Sequence, residues 1–96
     1  MSTIEQKADA AVRKINVVVV YNGLARNFAF EPQITITAAL EHAMNAFGIT
    51  GQRHLMAFYR DDDSEVTPEN QSIEQAGIVA NTVLALRPSR VKGGLG

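Results

Sequence analysis

The stretch that decides the fold reads INVVVVYNGLARNFAF and runs from Ile15 to Phe30. Its first half is β-branched and aromatic, and Asn22-Gly23 follows at once. Both central residues of a type I′ hairpin turn need a positive φ, which asparagine and glycine tolerate best. The sequence therefore predicts a hairpin with strands over residues 15–21 and 24–30.

The return strand alternates between two faces. Because successive side chains of a strand point to opposite sides, Phe28 and Phe30 share one face, and we expect that face to be core. Glu31-Pro32 closes the strand, since proline cannot donate to a β-ladder and restricts the residue before it.

A helix is predicted after the hairpin. Apolar residues recur at helical spacing and form one stripe: Ile36, Leu40, Ala43, Met44 and Phe47. Thr35 or Thr37 is expected to cap the N-terminus with its hydroxyl, and Gly48 suits the left-handed position just past the C-terminus. The sheet needs a cover for its apolar face, so we interpret the stripe as core rather than as a binding surface.

A third strand is expected over residues 54–59, but its inward face is ambiguous. A shift of one residue exchanges the two faces of a strand. The inward set is either Leu55, Ala57 and Tyr59, or Met56 and Phe58. The set that points outward makes an apolar patch on the sheet, and the candidate surface patch is Met56, Phe58 and Arg87.

The remaining segments complete a small sheet. We expect an acidic turn and a short edge segment between residues 60 and 68, and one short turn of helix over residues 72–78. The last strand covers residues 82–87, and its alternation directs Leu84 and Leu86 toward the helix.

The sequence closes on Arg90-Val91-Lys92-Gly93-Gly94, followed by Leu95-Gly96. A glycine pair is a poor structural terminus, because ordering glycine costs conformational entropy. Bare backbone suits a segment that threads a narrow channel, and a frayed tail is the alternative. We predict a flexible N-terminal extension over residues 1–13, a domain over 14–88 and a flexible tail over 89–96.

Composition narrows the classes of function. A chain of 96 residues accommodates one domain. The absence of cysteine excludes disulfides, thiolate metal sites and a cysteine nucleophile. A net charge of −1 argues against a general nucleic-acid binder. No stretch approaches the ~18 apolar residues that span a bilayer, and the N-terminus lacks the apolar core of a signal peptide, so we expect a cytoplasmic protein.

The residue pattern offers no catalytic site. No nucleophile lies beside a base in sequence, and His42 and His54 lack metal-ligand spacing. The carboxylates lie mostly in one turn that we expect to be exposed, whereas a general acid with a raised pKa needs burial. We predict that the chain is not an enzyme and holds no metal or cofactor.

Charge is distributed unevenly along the chain. Six of the ten carboxylates lie between Asp61 and Glu74, whereas Arg87, Arg90 and Lys92 make a basic end without acid. This asymmetry predicts an acidic partner surface for the tail rather than a membrane.

In element order the chain resembles ubiquitin from about Lys14 to Gly94. The resemblance implies an α+β, β-grasp (ubiquitin-like) fold, in which one helix covers a four- to five-stranded mixed sheet. Pro32 follows the hairpin nine residues after Gly23. The tail matches ubiquitin's pattern of arginine, aliphatic, basic and Gly-Gly.

The resemblance further implies a protein modifier that is conjugated through Gly94. In that family an activating enzyme adenylates the terminal glycine carboxylate, which is passed on as a thioester and joined to a target. The activating enzyme would recognise Arg90, Val91, Lys92 and Gly93, after a peptidase had cut between Gly94 and Leu95. The implied partners are the activating enzyme, a conjugating enzyme, this peptidase and a target protein.

The divergence from ubiquitin resembles bacterial ubiquitin-like families that occur beside such enzymes, and we expect a monomer. Arg87 stands where ubiquitin has valine, so ordinary ubiquitin-binding modules are not expected to recognise the patch. Two other functions fit the same fold. One is a sulfur carrier of the thiamin or molybdopterin type, although such chains normally stop at the second glycine. The other is a non-covalent β-grasp binding module.

Overall fold

The computed structural model describes residues 14–92, which form a four-stranded mixed sheet with one α-helix on one face. The elements are β1 (Ile15–Tyr21), β2 (Leu24–Phe30), α1 (Ile36–Phe47), β3 (Met56–Tyr59) and β4 (Thr82–Pro88). The strand order is β2-β1-β4-β3, with β1 parallel to β4 and the other neighbours antiparallel. This is the β-grasp arrangement that the sequence predicts; the N-terminal extension lies outside the described residues.

The hairpin forms as expected. Asn22 and Gly23 have φ of 55° and 85°, the left-handed values of a type I′ turn. Phe30 is buried, and Phe28 packs against the core while remaining partly exposed. The two rings are stacked, with centroids 5.6 Å apart.

The caps of α1 fix its ends. The Thr35 hydroxyl accepts a hydrogen bond from Ala38 N at 3.1 Å, so Thr35 is the N-cap. Thr37 lies inside the helix and donates its hydroxyl hydrogen to Glu69 O. Gly48 takes a φ of 73° and ends the helix, as predicted.

The core lies between α1 and the inner face of the sheet. The predicted helix stripe is buried except for Phe47, which packs against the core from its edge. Leu84 and Leu86 of β4 lie opposite the helix, and both are essentially inaccessible to solvent. Ile73 and Ile78, from the turn before β4, belong to the same core.

Strand β3 begins two residues later than predicted. Gln52 has a left-handed φ of 56°, and Leu55 N donates to Gln52 O at 3.0 Å. This tightens Arg53–Leu55 into a short 3₁₀ helix, so His54 and Leu55 are not extended.

The predicted surface patch is wrong for two of its three residues. Met56 and Phe58 belong to the core, with relative exposures of 6% and 0%. Phe58 lies directly opposite Leu86 in the antiparallel pair, and directly opposed side chains share one face of the sheet. Arg87 alone points to the outer face, opposite Ala57.

The outer residues of β3 do not form an apolar patch either. Ala57 and Tyr59 point away from the helix, yet they are 0% and 1% exposed. Tyr59 is covered by Arg87, near the end of β4, and by the segment that follows this strand.

Candidate functional site

The candidate site is the segment of residues 89–92, here called the basic segment, together with the side chains that contact it. It starts where β4 ends, at the edge of the sheet formed by β3. Ser89 N donates to Leu55 O at 2.7 Å, so the segment begins with a backbone hydrogen bond.

The acidic turn after β3 faces this segment. Arg60 N donates to Ser64 O at 2.8 Å, and Asp63 N donates to Arg60 O at 2.9 Å. Asp63 has a φ of 74°, a left-handed conformation that aspartate tolerates better than most residues. Ser64 donates two hydrogen bonds to Asp62, which lower the pKa of the Asp62 carboxyl below its ordinary value.

Asp63 pairs with two arginines from the C-terminal part of the chain. Arg90 Nη2 lies 2.5 Å from Asp63 Oδ2, and Arg87 donates to the other carboxylate oxygen. Hydrogen bonds from Arg90 first, and then Arg87, hold the pKa of Asp63 below its ordinary value. The same contact raises the pKa of the Arg90 guanidinium.

Both arginines also lie over the ring of Tyr59. The guanidinium carbons of Arg87 and Arg90 are 4.4 and 5.0 Å from the ring centroid, within the range of a cation–π contact. The two side chains and the backbone of the basic segment thus explain why Tyr59 is buried on the outer face of the sheet.

A hydrogen-bonded network anchors the backbone of the segment. Arg90 N donates to the Tyr59 hydroxyl at 2.8 Å, and this hydroxyl donates to Glu65 Oε1 at 3.0 Å. Ser89 Oγ donates to the same carboxylate oxygen at 2.8 Å. It also accepts hydrogen bonds from the backbone N–H groups of Val91 and Lys92. Ser89 is 5% exposed and has its hydrogen-bonding capacity satisfied in this way.

Lys92 makes the second charged contact. Its Nζ lies 2.6 Å from Glu69 Oε2 and donates to Met56 O at 2.8 Å. The Lys92 and Glu69 side chains are 28% and 20% exposed, so this pair is less accessible to solvent than the Asp63 pairs. Glu69 is itself fixed, because its carbonyl accepts hydrogen bonds from Thr37 N and Oγ1.

These contacts correct the expectation of a tail that is free from Ser89 onward. Of the predicted recognition residues, Arg90 and Lys92 are ion-paired to the domain, and Val91 is 67% exposed. The prediction failed because it took the acidic turn to be plain solvated surface and sought the acidic partner of the tail in another molecule. Gly93, Gly94 and Leu95 lie outside the described residues.

Sequence reasoning did not assign Tyr59, Asp63, Glu65, Glu69 or Ser89 to the site. The available signal was the uneven charge distribution, an acidic stretch before a basic end. That pattern does not distinguish an intramolecular contact from a partner surface, because the paired charges are 23 to 27 positions apart.

Within residues 14–92, no group of three or more His, Cys, Asp or Glu side chains could hold a metal ion. His42 lies on α1 beside the Phe30 ring, and His54 lies in the 3₁₀ helix. No helix among these residues is long and apolar enough to cross a membrane.

No protein-family model matches the chain, and no curated protein matches it. Solved structures do. A ubiquitin-like domain of an Arabidopsis thaliana protein superposes with a TM-score of 0.70 at 18% identity, covering 82% of this chain and 81% of that one. The UBL domain of Plasmodium falciparum Dsk2 gives 0.66 at 18% identity, covering 79% and 99%. ATBAG1, solved in complex with HSP70, gives 0.68 at 14% identity, covering 84% of this chain but 44% of that chain.

At these identities the likeness establishes the fold. The chain therefore has a ubiquitin-like β-grasp fold, on which a basic segment is docked against β3 and the loops that supply Asp63 and Glu69.

Proposed function

We propose that the chain is a ubiquitin-like protein modifier, trimmed after Gly94 and conjugated through the Gly94 carboxylate. One observation carries the proposal: the Arg90-Val91-Lys92-Gly93-Gly94 sequence begins two residues after β4 ends in a ubiquitin-like fold. The fold alone does not select a modifier, because one fold serves several functions, so the proposal rests on the tail.

The proposed chemistry has three steps. The Gly94 carboxylate attacks the α-phosphorus of ATP, forming an acyl adenylate and releasing pyrophosphate. A thiolate of the activating enzyme then attacks the acyl carbon, forming a thioester and releasing AMP. Finally a target amine attacks the thioester, forming an amide and returning the thiol with the transferred proton. A target hydroxyl forms an ester in the same way.

In this proposal the residues before Gly94 guide it into the activating enzyme. The Arg90 guanidinium offers a planar donor pair to a carboxylate, and Lys92 offers a point charge. Val91 is 67% exposed and is available for an apolar contact. Gly93 and Gly94 leave room for a channel that any Cβ would obstruct.

Trimming comes first, because adenylation needs a free Gly94 carboxylate and the peptide bond to Leu95 blocks it. The proposed partners are therefore a tail-processing peptidase, an activating enzyme, a conjugating enzyme and a target protein. The chain is a substrate in these reactions rather than a catalyst. We place it in the cytoplasm, within a bacterial conjugation system.

A non-covalent binding module is the second candidate, and the docked basic segment favours it. A segment held on the domain is less suited to threading than a free one. The similar structures include the UBL domain of Dsk2, and ATBAG1, a longer chain solved with HSP70. As such a module, the chain would bind another protein through the outer face of the sheet, where Val83 is 49% exposed.

The proposal is tested with three forms of the chain, tagged at the N-terminus and expressed in the source cells: full length, ending at Gly94, and full-length Gly94→Ala. Denaturing purification and intact-mass analysis should show loss of Leu95-Gly96 from the first form. Covalent adducts that survive detergent and thiol should appear with the first two forms. Gly94→Ala should give neither trimming nor adducts.

A matched control is Gly51→Ala, at a glycine around which an added Cβ meets no atom within 4 Å. It should behave as the wild type. A thiocarboxylate on the trimmed chain, with no adducts, would favour the sulfur carrier. If the full-length form is not trimmed, and neither it nor the form ending at Gly94 gives adducts, the modifier proposal fails and the non-covalent binding module is favoured.

A further inference from the structure

Carboxylates of the domain itself pair with Arg90 and Lys92. In the proposed function, an activating enzyme binds these same two cations. The Arg90 guanidinium lies 2.5 Å from Asp63, and the Lys92 ammonium lies 2.6 Å from Glu69. Each acidic partner comes from a different loop of the domain. The acidic turn supplies Asp63, and the loop hydrogen-bonded to the start of α1 supplies Glu69.

We propose that Asp63 and Glu69 form an intramolecular latch that holds the basic segment on the domain, and that an activating enzyme must displace both carboxylates to bind Arg90 and Lys92. The latch itself is a property of residues 59–92. Its consequence for activation rests on the proposed function.

The contacts suit a reversible latch. The side chains of Arg90 and Asp63 are 61% and 57% exposed, and exposed ion pairs are individually weak and exchange readily with solvent. An acidic residue of a partner can pair with Arg90 in the same way as Asp63 does. Exchanging one carboxylate for the other therefore costs little free energy. The backbone contacts to Tyr59 and Ser89 orient the segment without engaging its charges.

Lys92 links the latch to the glycine pair, because it directly precedes Gly93 in the sequence. The Lys92 side chain is tied to β3 through Met56 O, so this contact must break before an activating enzyme can bind the Lys92 ammonium. A partner that binds only the released state has its apparent affinity reduced by the fraction of molecules that are released. The latch therefore discriminates against partners that lack their own acidic site.

The latch is tested with full-length Asp63→Asn/Glu69→Gln against Asp61→Asn/Glu74→Gln. The control has the same change in charge, on carboxylates that make no ion pair or side-chain hydrogen bond with the basic segment among the described residues. Two readouts apply: the ¹⁵N heteronuclear NOE at residues 90–92, and the rate at which trypsin cuts after Arg90 and Lys92. Neither readout depends on a conjugation system, and neither variant alters the residues that trypsin recognises.

We expect domain-like NOE values at residues 90–92 in the wild type and the control, and lower values in the latch variant. Cleavage of the latch variant should be about threefold to tenfold faster, as expected for the loss of two weak pairs. Wild-type cleavage should also accelerate between low and high salt, which tests the same contacts without any substitution. Two results would overturn the latch proposal. One is a wild-type basic segment whose NOE values are lower than those of the domain, and the other is equal trypsin cleavage of the latch variant and the control.

A third readout separates the latch from the proposed function. Chains ending at Gly94, with and without the latch substitutions, are added to source-cell extract with ATP, and adducts are followed over time. Faster adduct formation by the variant supports the coupling, and an unchanged rate overturns it. If no chain forms adducts, the modifier proposal fails, while the NOE and trypsin results still decide the latch.

Discussion

Tyr59 lies on the outer face of the sheet, which is expected to be exposed to solvent, yet its side chain is buried. Local alternation places it outside, and two arginines and one backbone segment from the C-terminal part of the chain then cover it. Its hydroxyl bridges Arg90 N and Glu65, so the ring and the hydroxyl both hold the basic segment.

Removing this hydroxyl should weaken the network without leaving a large cavity. Tyr59→Phe leaves the Arg90 N–H without its acceptor and Glu65 with one donor fewer. We expect the free energy of unfolding to fall by about 1 kcal/mol, the usual contribution of such hydrogen bonds. Tyr21→Phe is the control, because the Tyr21 ring packs on Phe47 while its hydroxyl makes no hydrogen bond within the described residues. Urea denaturation of both variants measures the difference, and equal stability would contradict the network.

Asp63 gives the basic segment a defined dependence on pH. Its pKa lies below the ordinary value of 3.8, chiefly because Arg90 and then Arg87 donate to it. A carboxyl with a depressed folded-state pKa stabilises the contact above its ordinary pKa, and this stabilisation is lost as the pH falls through the folded value. The segment should therefore stay docked at neutral pH and loosen only below about pH 4.

The ¹³C shift of the Asp63 carboxyl, followed through an acid titration, measures this directly. We expect a midpoint below 3.8 in the wild type and a higher midpoint in Arg90→Gln, which removes the largest cause of the shift. The same midpoint in both proteins would show that Arg90 does not pair with Asp63 in solution.

At the scale of elements, the sequence was sufficient where local rules decide the structure. Asn22-Gly23 determines the hairpin, and Thr35 and Gly48 mark the two ends of α1. Each of these features depends only on residues that are close in sequence. Strand β3 could not be predicted in this way. Its late start depends on a left-handed Gln52, and its burial on both faces depends on residues about 30 positions away.

Helix α1 should depend on its buried stripe for stability. Leu40 is 3% exposed, and Leu40→Ala should lower the free energy of unfolding by about 2–5 kcal/mol, because it removes buried methyl groups and leaves a cavity. Leu24→Ala is the matched control at a position that is 65% exposed, with an expected change under about 0.5 kcal/mol. Chemical denaturation of the two variants should separate them clearly, and equal losses would mean that the stripe is not core.

At the scale of the molecule, the ubiquitin-like fold leaves function open. A modifier and a binding module share the sheet and the helix, so the basic segment and the glycine pair carry the distinction. The sequence supplied the motif, and the structure added that its basic residues are held by the domain. That addition was beyond sequence reasoning, because a charge pattern does not specify which carboxylate pairs with which cation.

The central claim is that Gly94 becomes covalently attached to other proteins, and one measurement tests it most directly. Trypsin cuts after Lys92, so a conjugated target keeps Gly93-Gly94 on its modified residue. Proteins purified under denaturing conditions with the tagged chain should yield target peptides bearing a diglycine remnant. These peptides should disappear with Gly94→Ala and persist with Gly51→Ala. Remnant-bearing peptides that are absent from the wild type, or equally abundant with Gly94→Ala, would contradict the claim.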